Sequence, residues 1–273
     1  MELVEIGWRG LYRNAGLSLD TYGTARVIAR NPGAPRTIVS HLPMFAGAKG
    51  LMDWLQVETL DAEFVRRYGK AGVRFYTAEE IDASNVLLQI REAINVMRLI
   101  PTLFTTVAAL VRSVHVLDPG DDAYDVSFSE PQIPFSIFVS VPRAGSITSP
   151  MRVAEAIVHE AMHLQLTLIE QVAPLVLLNE NKYFSPWKGE YRPSQSILHA
   201  LYVFRVIHVF LGLLMSSPLF HGARAEYISN RYRQIAVEMP QIRLFKDSPD
   251  LTPDGFKFVR SLLADLTRNE ELR

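Results

Sequence analysis

The sequence of 273 residues contains no cysteine. This absence excludes disulfide bonds, thiolate metal sites, iron–sulfur clusters and a cysteine nucleophile, so His, Asp or Glu side chains would have to hold any bound metal ion. The sequence also has no excess of positive or negative charge: it contains 28 Lys and Arg residues and 29 Asp and Glu residues. A near-neutral chain without a run of five like charges is not typical of proteins that bind nucleic acids or anionic membranes through bulk electrostatics.

The sequence has little that would direct it to a membrane. Residues 1–8 include two acids and no basic region before an apolar stretch, so they do not resemble a secretory signal. The most apolar window, residues 197–215, is about long enough to span a bilayer, but Arg205 lies near its centre. A second window, residues 93–110, is interrupted by Pro101. We predict that both windows are buried core helices, and we expect a cytoplasmic protein without a membrane partner.

Hydrophobic periodicity predicts an α+β protein that is predominantly α-helical, with a small β-sheet preceding a long helix. We expect a variable N-terminal region of uncertain structure over residues 1–76 and a helical domain over residues 77–273, together forming one continuous domain. Helical spacing and capping residues predict helices over about 77–97, 102–112, 149–172, 193–215, 221–239 and 253–266. Residues rich in β-formers predict strands at 114–117, 126–128 and 135–141, with 125–131 as an edge strand or extended segment.

The motif that carries chemistry is His159-Glu160-Ala161-Met162-His163, inside the helix that starts near Ser149. Histidines four residues apart lie about 40° apart around a helix, so both imidazoles can reach one divalent metal ion. Glu160 leans to one side of this face, where it can contact a metal-bound water or a substrate. The alternative is a helix whose two histidines are merely buried and hydrogen-bonded. A separate apolar stripe on the same helix argues against that alternative.

A stable metal site needs a third protein ligand, for which the candidates are Glu180, Glu190, His199 and His208. His199 is preferred, because it lies near the start of its helix, next to a polar loop. His199 and His208 are nine residues apart on one helix, so they face opposite sides and at most one can reach the metal. Glu190 would instead complete a two-histidine, one-carboxylate triad. We predict that His208 is a hydrogen-bonded core histidine.

The polar loop of residues 179–193 concentrates Trp, Lys, Tyr and Arg side chains immediately before His199. Arg192 or Lys188 could pair with a carboxylate of a substrate or cosubstrate near the metal. Tyr202, on the same face of the following helix as His199, is a further candidate to contact the cofactor. The alternative is an ordinary surface loop anchored by its tryptophan.

These residues resemble the HExxH peptide-modification family, which is found in gene clusters for ribosomally made, post-translationally modified peptides. The HExxH motif alone is shared with many zinc peptidases, so its combination with the Trp-Lys loop and His199 carries the specificity. The resemblance covers roughly residue 114 to the C-terminus. The matching stretches are Asp125–Pro131 with Ile137–Pro142, His159–His163, Ser185–Lys188 with Arg192–Pro193, Leu198–Ala200 with Val203–Phe204, and Leu251–Gly255.

The resemblance implies an iron(II)- and 2-oxoglutarate-dependent dioxygenase that hydroxylates a side chain of a ribosomally synthesised precursor peptide, typically at the β-carbon. It maps the two motif histidines onto the ligand pair and His199 onto the third position. Arg192 would then bind the far carboxylate of 2-oxoglutarate. Where the family usually has Arg, this sequence has Lys188, which keeps the charge but offers no bidentate fork. Glu160 would orient a ligand or water rather than act as a base.

Two other functions stay open on the sequence. A zinc metallopeptidase would use Glu160 to activate a zinc-bound water against a peptide carbonyl. A non-catalytic peptide-binding protein would keep a vestigial site and bind its peptide with or without metal. Metal preference and dependence on 2-oxoglutarate distinguish these functions from the oxygenase.

Overall fold

The computed structural model describes residues 37–44, 54–60, 62–69, 72–120, 125–129 and 135–270. They belong to two compact units, an N-terminal unit that ends at Leu164 and a C-terminal unit that begins at Gln165. The predicted fold class is confirmed, because the protein is α+β and mostly helical, with a small sheet before the HExxH helix. The predicted division at residue 76 stays a prediction, and residues 1–36 of that region lie outside the described residues.

A mixed β-sheet forms the framework of the N-terminal unit. Its strands are β1 (Thr37–Pro43), β2 (Trp54–Thr59), β3 (Arg74–Phe75), β4 (Ser113–Asp118), β5 (Ser127–Ser129) and β6 (Ser136–Ser140). The order across the sheet is β1-β2-β4-β6-β5, and β3 also pairs with β4. The central strands β2, β4 and β6 are parallel, whereas β1, β3 and β5 pair antiparallel with their neighbours. The three predicted strands are confirmed as β4, β5 and β6, and β5 lies at the sheet edge as predicted.

Helices precede and follow the central strands of this unit. They are α1 (Ala62–Gly69), α2 (Ala78–Asp82), α3 (Val86–Arg98), α4 (Pro101–Leu110) and α5 (Ser149–Glu170), the last of which continues into the C-terminal unit. Thr77 caps α2 through the predicted capping box with Glu80. The prediction of one continuous helix over residues 77–97 is wrong. The chain turns at Asn85, whose backbone N–H and side-chain amide donate to the carbonyls of Arg143 and Ala144.

The C-terminal unit contains a hairpin and a set of helices. They are β7 (Lys182–Ser185), β8 (Glu190–Pro193), α6 (Ser194–Met215), α7 (Ala223–Glu238), a 3-10 helix (Met239–Asp247) and α8 (Pro253–Glu270). The prediction of a loop over residues 179–193 is wrong from Lys182 onward, where β7 and β8 form an antiparallel hairpin. Gly189 supplies the positive φ of 66° that the tight turn needs. Its N–H donates to the carbonyl of Ser185 at 2.8 Å.

Helix α6 is the most apolar helix among the described residues that is long enough to cross a membrane. It has 22 residues and a mean hydropathy of 2.0 in its most apolar window, and 72% of that window is buried inside the protein. Such burial is compatible with a core helix of a globular protein. The described part of the chain has no other helix that is both long enough and apolar enough to cross a membrane.

The start of α8 is fixed by a close approach of two backbone segments. Leu251 forms an isolated β-bridge with Val176, and the N–H of Thr252 donates to the carbonyl of Leu175 at 3.0 Å. A Cβ atom at position 255 would lie 2.0 Å from that same carbonyl oxygen. Only glycine therefore fits at Gly255, which gives a physical reason for the glycine in the Leu-Thr-Pro-Asp-Gly stretch.

Candidate metal centre

The two motif histidines point to the same side of α5. The Nε2 atoms of His159 and His163 lie 3.2 Å apart, and both side chains are half-buried. Two nitrogens that are each about 2.1 Å from one metal ion lie about 3.0–3.4 Å apart when they subtend about 90–110° at it. The observed separation therefore fits two ligands of one ion.

The amphipathic pattern of α5 sets this orientation. Its core-facing side chains are Met151, Val153, Ala154, Ile157, Val158, Ala161, Met162 and Leu166, all buried. His159 and His163 are off this stripe and more exposed than its members. Packing of the helix thus does not require histidine at either position.

The carboxylate of Glu160 is held beside the histidine pair. Glu160 is only 2% exposed, and its Oε1 atom accepts a hydrogen bond of 2.7 Å from the hydroxyl of Ser127 in β5. The same oxygen lies 4.0 Å from Nε2 of His159. This places the carboxylate within reach of a molecule bound next to His159, as expected for the predicted role of Glu160.

A second contact, an ion pair, joins the chain segment around β5 to α5. The guanidinium of Arg152 donates to both carboxylate oxygens of Asp125, at 2.9 and 2.8 Å. Asp125 and Ser127 both belong to the Asp125–Pro131 stretch that resembles the HExxH peptide-modification family. Sequence reasoning did not assign Ser127 a role, although that stretch contained the signal.

The predicted third ligand, His199, lies on α6 in the C-terminal unit. Across the described ranges that start at residue 37 and end at residue 270, no group of three or more His, Asp or Glu side chains is placed to hold one metal ion. The other candidates in this unit are Glu180, which is exposed, and Glu190, which is in β8. His199 as third ligand stays a prediction.

His199 is bound by a carboxylate that sequence reasoning missed. Its Nε2 atom lies 2.8 Å from Oε2 of Glu170, and the Gln195 amide donates to the same oxygen at 2.6 Å. The His199 and Glu170 side chains are 15% and 14% exposed. Glu170 is seven residues after His163 in the predicted helix, and this spacing of nearly two turns was the available signal.

His208 is buried in the core, as predicted. It is 4% exposed, stacks on Tyr232 with ring centroids 4.0 Å apart, and its Nδ1 atom lies 3.1 Å from Nη1 of Arg205. Burial, and then the positive charge of Arg205, lower the pKa of His208 to about 4. The imidazole is therefore neutral at pH 7 and accepts a hydrogen bond from the guanidinium.

The predicted cofactor-binding residues lie in three different environments of the C-terminal unit. Arg192 donates to Glu190 at 2.7 Å and is 42% exposed, so an anion that binds Arg192 competes with this ion pair. Lys188 is exposed in the hairpin turn. Tyr202 is buried, and its hydroxyl donates to Oε1 of Gln165 at 2.6 Å. Burial raises the pKa of Tyr202, so its hydroxyl stays protonated.

A buried carboxylate fixes the hairpin to the start of α6. Asp250 is 1% exposed and accepts hydrogen bonds from the Ser194 hydroxyl at 2.5 Å and from the Asn181 backbone and amide at 3.1 and 2.6 Å. Burial by itself would raise the pKa of Asp250, but these hydrogen bonds hold that pKa below its ordinary value. The segment that carries Lys188 and Arg192 is thus anchored at both ends.

Comparisons with known proteins add no assignment to this geometry. No family model matches the sequence, and no curated protein matches it. The functional argument therefore rests on the geometry of these residues and on the sequence resemblance.

Proposed function

We propose that the protein is a cytoplasmic iron(II)- and 2-oxoglutarate-dependent hydroxylase that acts on a side chain of a ribosomally synthesised peptide. The observation that carries the metal site is the 3.2 Å separation of the His159 and His163 Nε2 atoms. The choice of iron(II) and 2-oxoglutarate rests on the sequence resemblance. The peptide substrate and its β-carbon as the hydroxylated position rest on the same resemblance.

The donor set fits the proposed metal. Imidazole nitrogens suit iron(II), and three protein ligands on one side of an octahedral ion leave three positions for other groups. In our proposal His159 and His163 would hold the metal, His199 would be the third ligand that the sequence resemblance implies, and 2-oxoglutarate would bind at the same ion. Iron(II) supplies dioxygen activation, and 2-oxoglutarate supplies the electrons as it is converted to succinate and carbon dioxide while one oxygen atom enters the substrate C–H bond.

The remaining residues bind and orient in this proposal. The Arg192 guanidinium binds the far carboxylate of 2-oxoglutarate after its ion pair with Glu190 opens, and Lys188 and Tyr202 lie in the same unit as further candidates. Glu160 accepts the Ser127 hydrogen bond, which fixes its carboxylate to orient a ligand or water beside His159.

A zinc metallopeptidase is the second candidate. The observation in its favour is the 4.0 Å between Glu160 Oε1 and His159 Nε2, because a peptidase needs a carboxylate beside the metal-bound water. In that case zinc would activate a water for attack on the peptide carbonyl, and Glu160 would be the base that accepts the proton of that water. The Ser127 hydrogen bond would hold Glu160 in position for this transfer.

Anaerobic titration with iron(II) and 2-oxoglutarate tests the proposal. We expect a weak visible charge-transfer band that requires both additives and is absent in His159→Ala and His199→Ala. The matched control is His221→Ala, which removes an exposed histidine of the C-terminal unit and should keep the band. No band, with stoichiometric zinc binding instead, would overturn the oxygenase in favour of the peptidase. Loss of peptide cleavage in Glu160→Gln would then support that second function.

A further inference from the structure

The sheet of the N-terminal unit has a short gap beside β4. Strand β6 pairs along one edge of β4, from Ser113 to Leu117. The other edge of β4 is therefore shared by β2, which reaches His115, and β3, which pairs with Leu117 and Asp118. Val116 lies between these two registers and pairs with neither β2 nor β3. The carboxyl ends of β2 and β3 thus approach each other across this gap.

A cavity of about 360 Å³ lies at the gap. This volume is within the range of small-molecule binding sites. Its apolar wall includes Leu60, Val65, Phe75 and Val116. Where neighbouring strands of a sheet are parallel, as β2 and β4 are, ligands typically bind outside their carboxyl ends. Both the volume and the position of the cavity therefore suit a small ligand.

The charged residues of the cavity wall are acidic. Glu58 and Glu79 line the cavity, and no Lys or Arg is among the described residues that do so. Glu58 is only 4% exposed, whereas Glu79 is exposed. A carboxylate as deeply buried as that of Glu58 is costly unless positive groups and hydrogen-bond donors compensate it. The wall therefore favours a positively charged ligand over a neutral or negative one.

Glu58 can bind such a ligand without giving up its protein neighbours. Its Oε2 atom lies 3.9 Å from Nε2 of the buried His115. An ionised carboxylate has about four acceptor positions on its two oxygens. The Glu58 carboxylate can therefore accept hydrogen bonds from a ligand in addition to its contacts within the protein.

Two basic side chains near the cavity are neutralised by other carboxylates. The guanidinium carbons of Arg74 and Arg143 lie 5.9 and 5.2 Å from the ring centre of Tyr76, a further wall residue. Both guanidinium groups form ion pairs with Glu80 and Asp118. Their positive charge is thus compensated locally and does not cancel the negative charge of the wall.

We propose that this cavity binds an alkylammonium group, with Glu58 as its counter-ion and the apolar wall as the contact for its hydrocarbon chain. The three N–H donors of an ammonium suit oxygen acceptors such as the Glu58 carboxylate and the Thr59 hydroxyl, both from wall residues. In the sheet, β4 and β6 separate β2 from β5, the strand that contacts Glu160. The inference is therefore independent of the proposed metal centre.

Titration of the full chain with n-butylamine at pH 7, followed by backbone amide NMR, tests this site. The probe 1-butanol has nearly the same shape but no charge. We expect saturable shifts at the amides of Thr59, Leu60 and Phe75 with the amine. Binding of the alcohol should be roughly 10- to 100-fold weaker, the range for loss of a hydrogen bond between charged groups. Equal binding of both probes, or no saturable shift at these amides, overturns the proposal.

Glu58→Gln tests the counter-ion, because it keeps the shape of the side chain and removes the charge. We expect roughly 10- to 100-fold weaker binding of n-butylamine by this variant. Glu63→Gln, an exposed glutamate of α1 outside the cavity wall, is the matched control and should bind like the wild type. Unchanged affinity in folded Glu58→Gln overturns the proposal. If Glu58→Gln does not fold, the comparison of the two probes on the wild type decides.

The alkylammonium group can belong to a free amine or to a lysine side chain of a peptide. A lysine tripeptide with blocked ends distinguishes these sources once n-butylamine binds. Tripeptide binding at the same amides, at least as tight as that of the amine, supports the site as one for a peptide lysine. Failure of the tripeptide to bind supports it as one for a free amine.

Discussion

Ser127 Oγ and Glu160 Oε1 are joined by a hydrogen bond of 2.7 Å, which links the edge strand of the sheet to the helix that carries both motif histidines. Glu160 is buried at 2% exposure, so its carboxylate depends on such partners for solvation. The position of this carboxylate beside His159 is therefore set in part from outside the motif.

Replacing Ser127 with Ala should destabilise the protein by roughly 1–3 kcal/mol, because a buried carboxylate oxygen loses a donor. Urea unfolding followed by circular dichroism measures the change. Ser129→Ala is the matched control, since Ser129 is in the same strand and is also half-buried, and it should change the stability by less than about 0.5 kcal/mol. Equal effects of the two substitutions would contradict the assigned role of Ser127.

Replacing Asp250 with Asn should destabilise the protein by about 1.5–3 kcal/mol at pH 7, since three donors lose a charged acceptor. The folded-state pKa of Asp250 is lowered, so the stabilisation is present above the ordinary carboxyl pKa and is lost as the pH falls through the folded value. Urea unfolding at pH 7 and in acid measures both effects. Asp247→Asn serves as control, because the Asp247 side chain is 55% exposed. A difference between Asp250→Asn and wild type that persists in acid would refute this account.

His208 should make the protein less stable as the pH falls from 6.5 to 4. The unfolded chain binds a proton at His208 near pH 6.5, whereas burial and Arg205 lower the folded-state pKa to about 4. The unfolded state thus binds more protons in this window, and stability falls by up to about 1.4 kcal/mol per pH unit. The stabilisation is complete above pH 6.5.

Replacement of His208 with Asn checks this pH dependence, because the Asn side chain can still accept from Arg205 but does not titrate. We expect the variant to lose stability less steeply than the wild type between pH 6.5 and 4 in urea titrations. His221→Asn, at an exposed position, should keep the wild-type slope. Parallel curves for wild type and His208→Asn would show that His208 is not the titrating group.

Glu80 should stabilise α2 through its charge. Its carboxylate accepts from the Thr77 backbone at 3.0 Å and from Arg143 at 3.0 Å, and also from Arg74. The Thr77 backbone hydrogen bond, followed by those from Arg143 and Arg74, lowers the pKa of Glu80 to about 2. The stabilisation is therefore present above pH 4.5 and is lost as the pH falls toward 2.

Glu80→Gln isolates this charge, because Gln can still form the capping box. We expect the variant to be about 1 kcal/mol less stable than the wild type at pH 7, and most of this difference to be lost near pH 2. Thermal unfolding at both pH values, with the exposed Glu63→Gln as control, measures the difference. A deficit in Glu80→Gln that stays constant with pH would rule out the charge as its source.

The parts of the fold predicted from sequence are those with strong local signals. Proline or capping residues mark where α4, α6 and α8 begin, and runs of β-formers mark β4 and β6. The β7–β8 hairpin was missed because its strands have four residues each, too few for an alternating pattern to stand out. The break at Asn85 was missed because its cause is tertiary, two hydrogen bonds to the backbone of residues 143 and 144.

In the candidate site, too, the residues with a strong local signal were predicted and those that depend on tertiary contacts were missed. The HExxH spacing on a predicted helix was enough to predict that His159 and His163 face one side. Ser127 and Glu170 were missed, because each acts through a contact between residues 33 and 29 positions apart in the chain. Such contacts depend on how strands and helices pack, and one sequence contains no direct record of it.

Helix α6 has a consequence for the chain before it folds. A newly made or unfolded chain exposes these 22 residues, which by length and hydropathy match a membrane-spanning segment. Arg205 opposes bilayer insertion by about 2.5–3.5 kcal/mol at the centre of such a segment. The Arg205 guanidinium, which contacts His208 in the folded core, would thus disfavour insertion of the unfolded α6 segment into a membrane. Arg205→Leu should increase the membrane-associated fraction of the expressed protein.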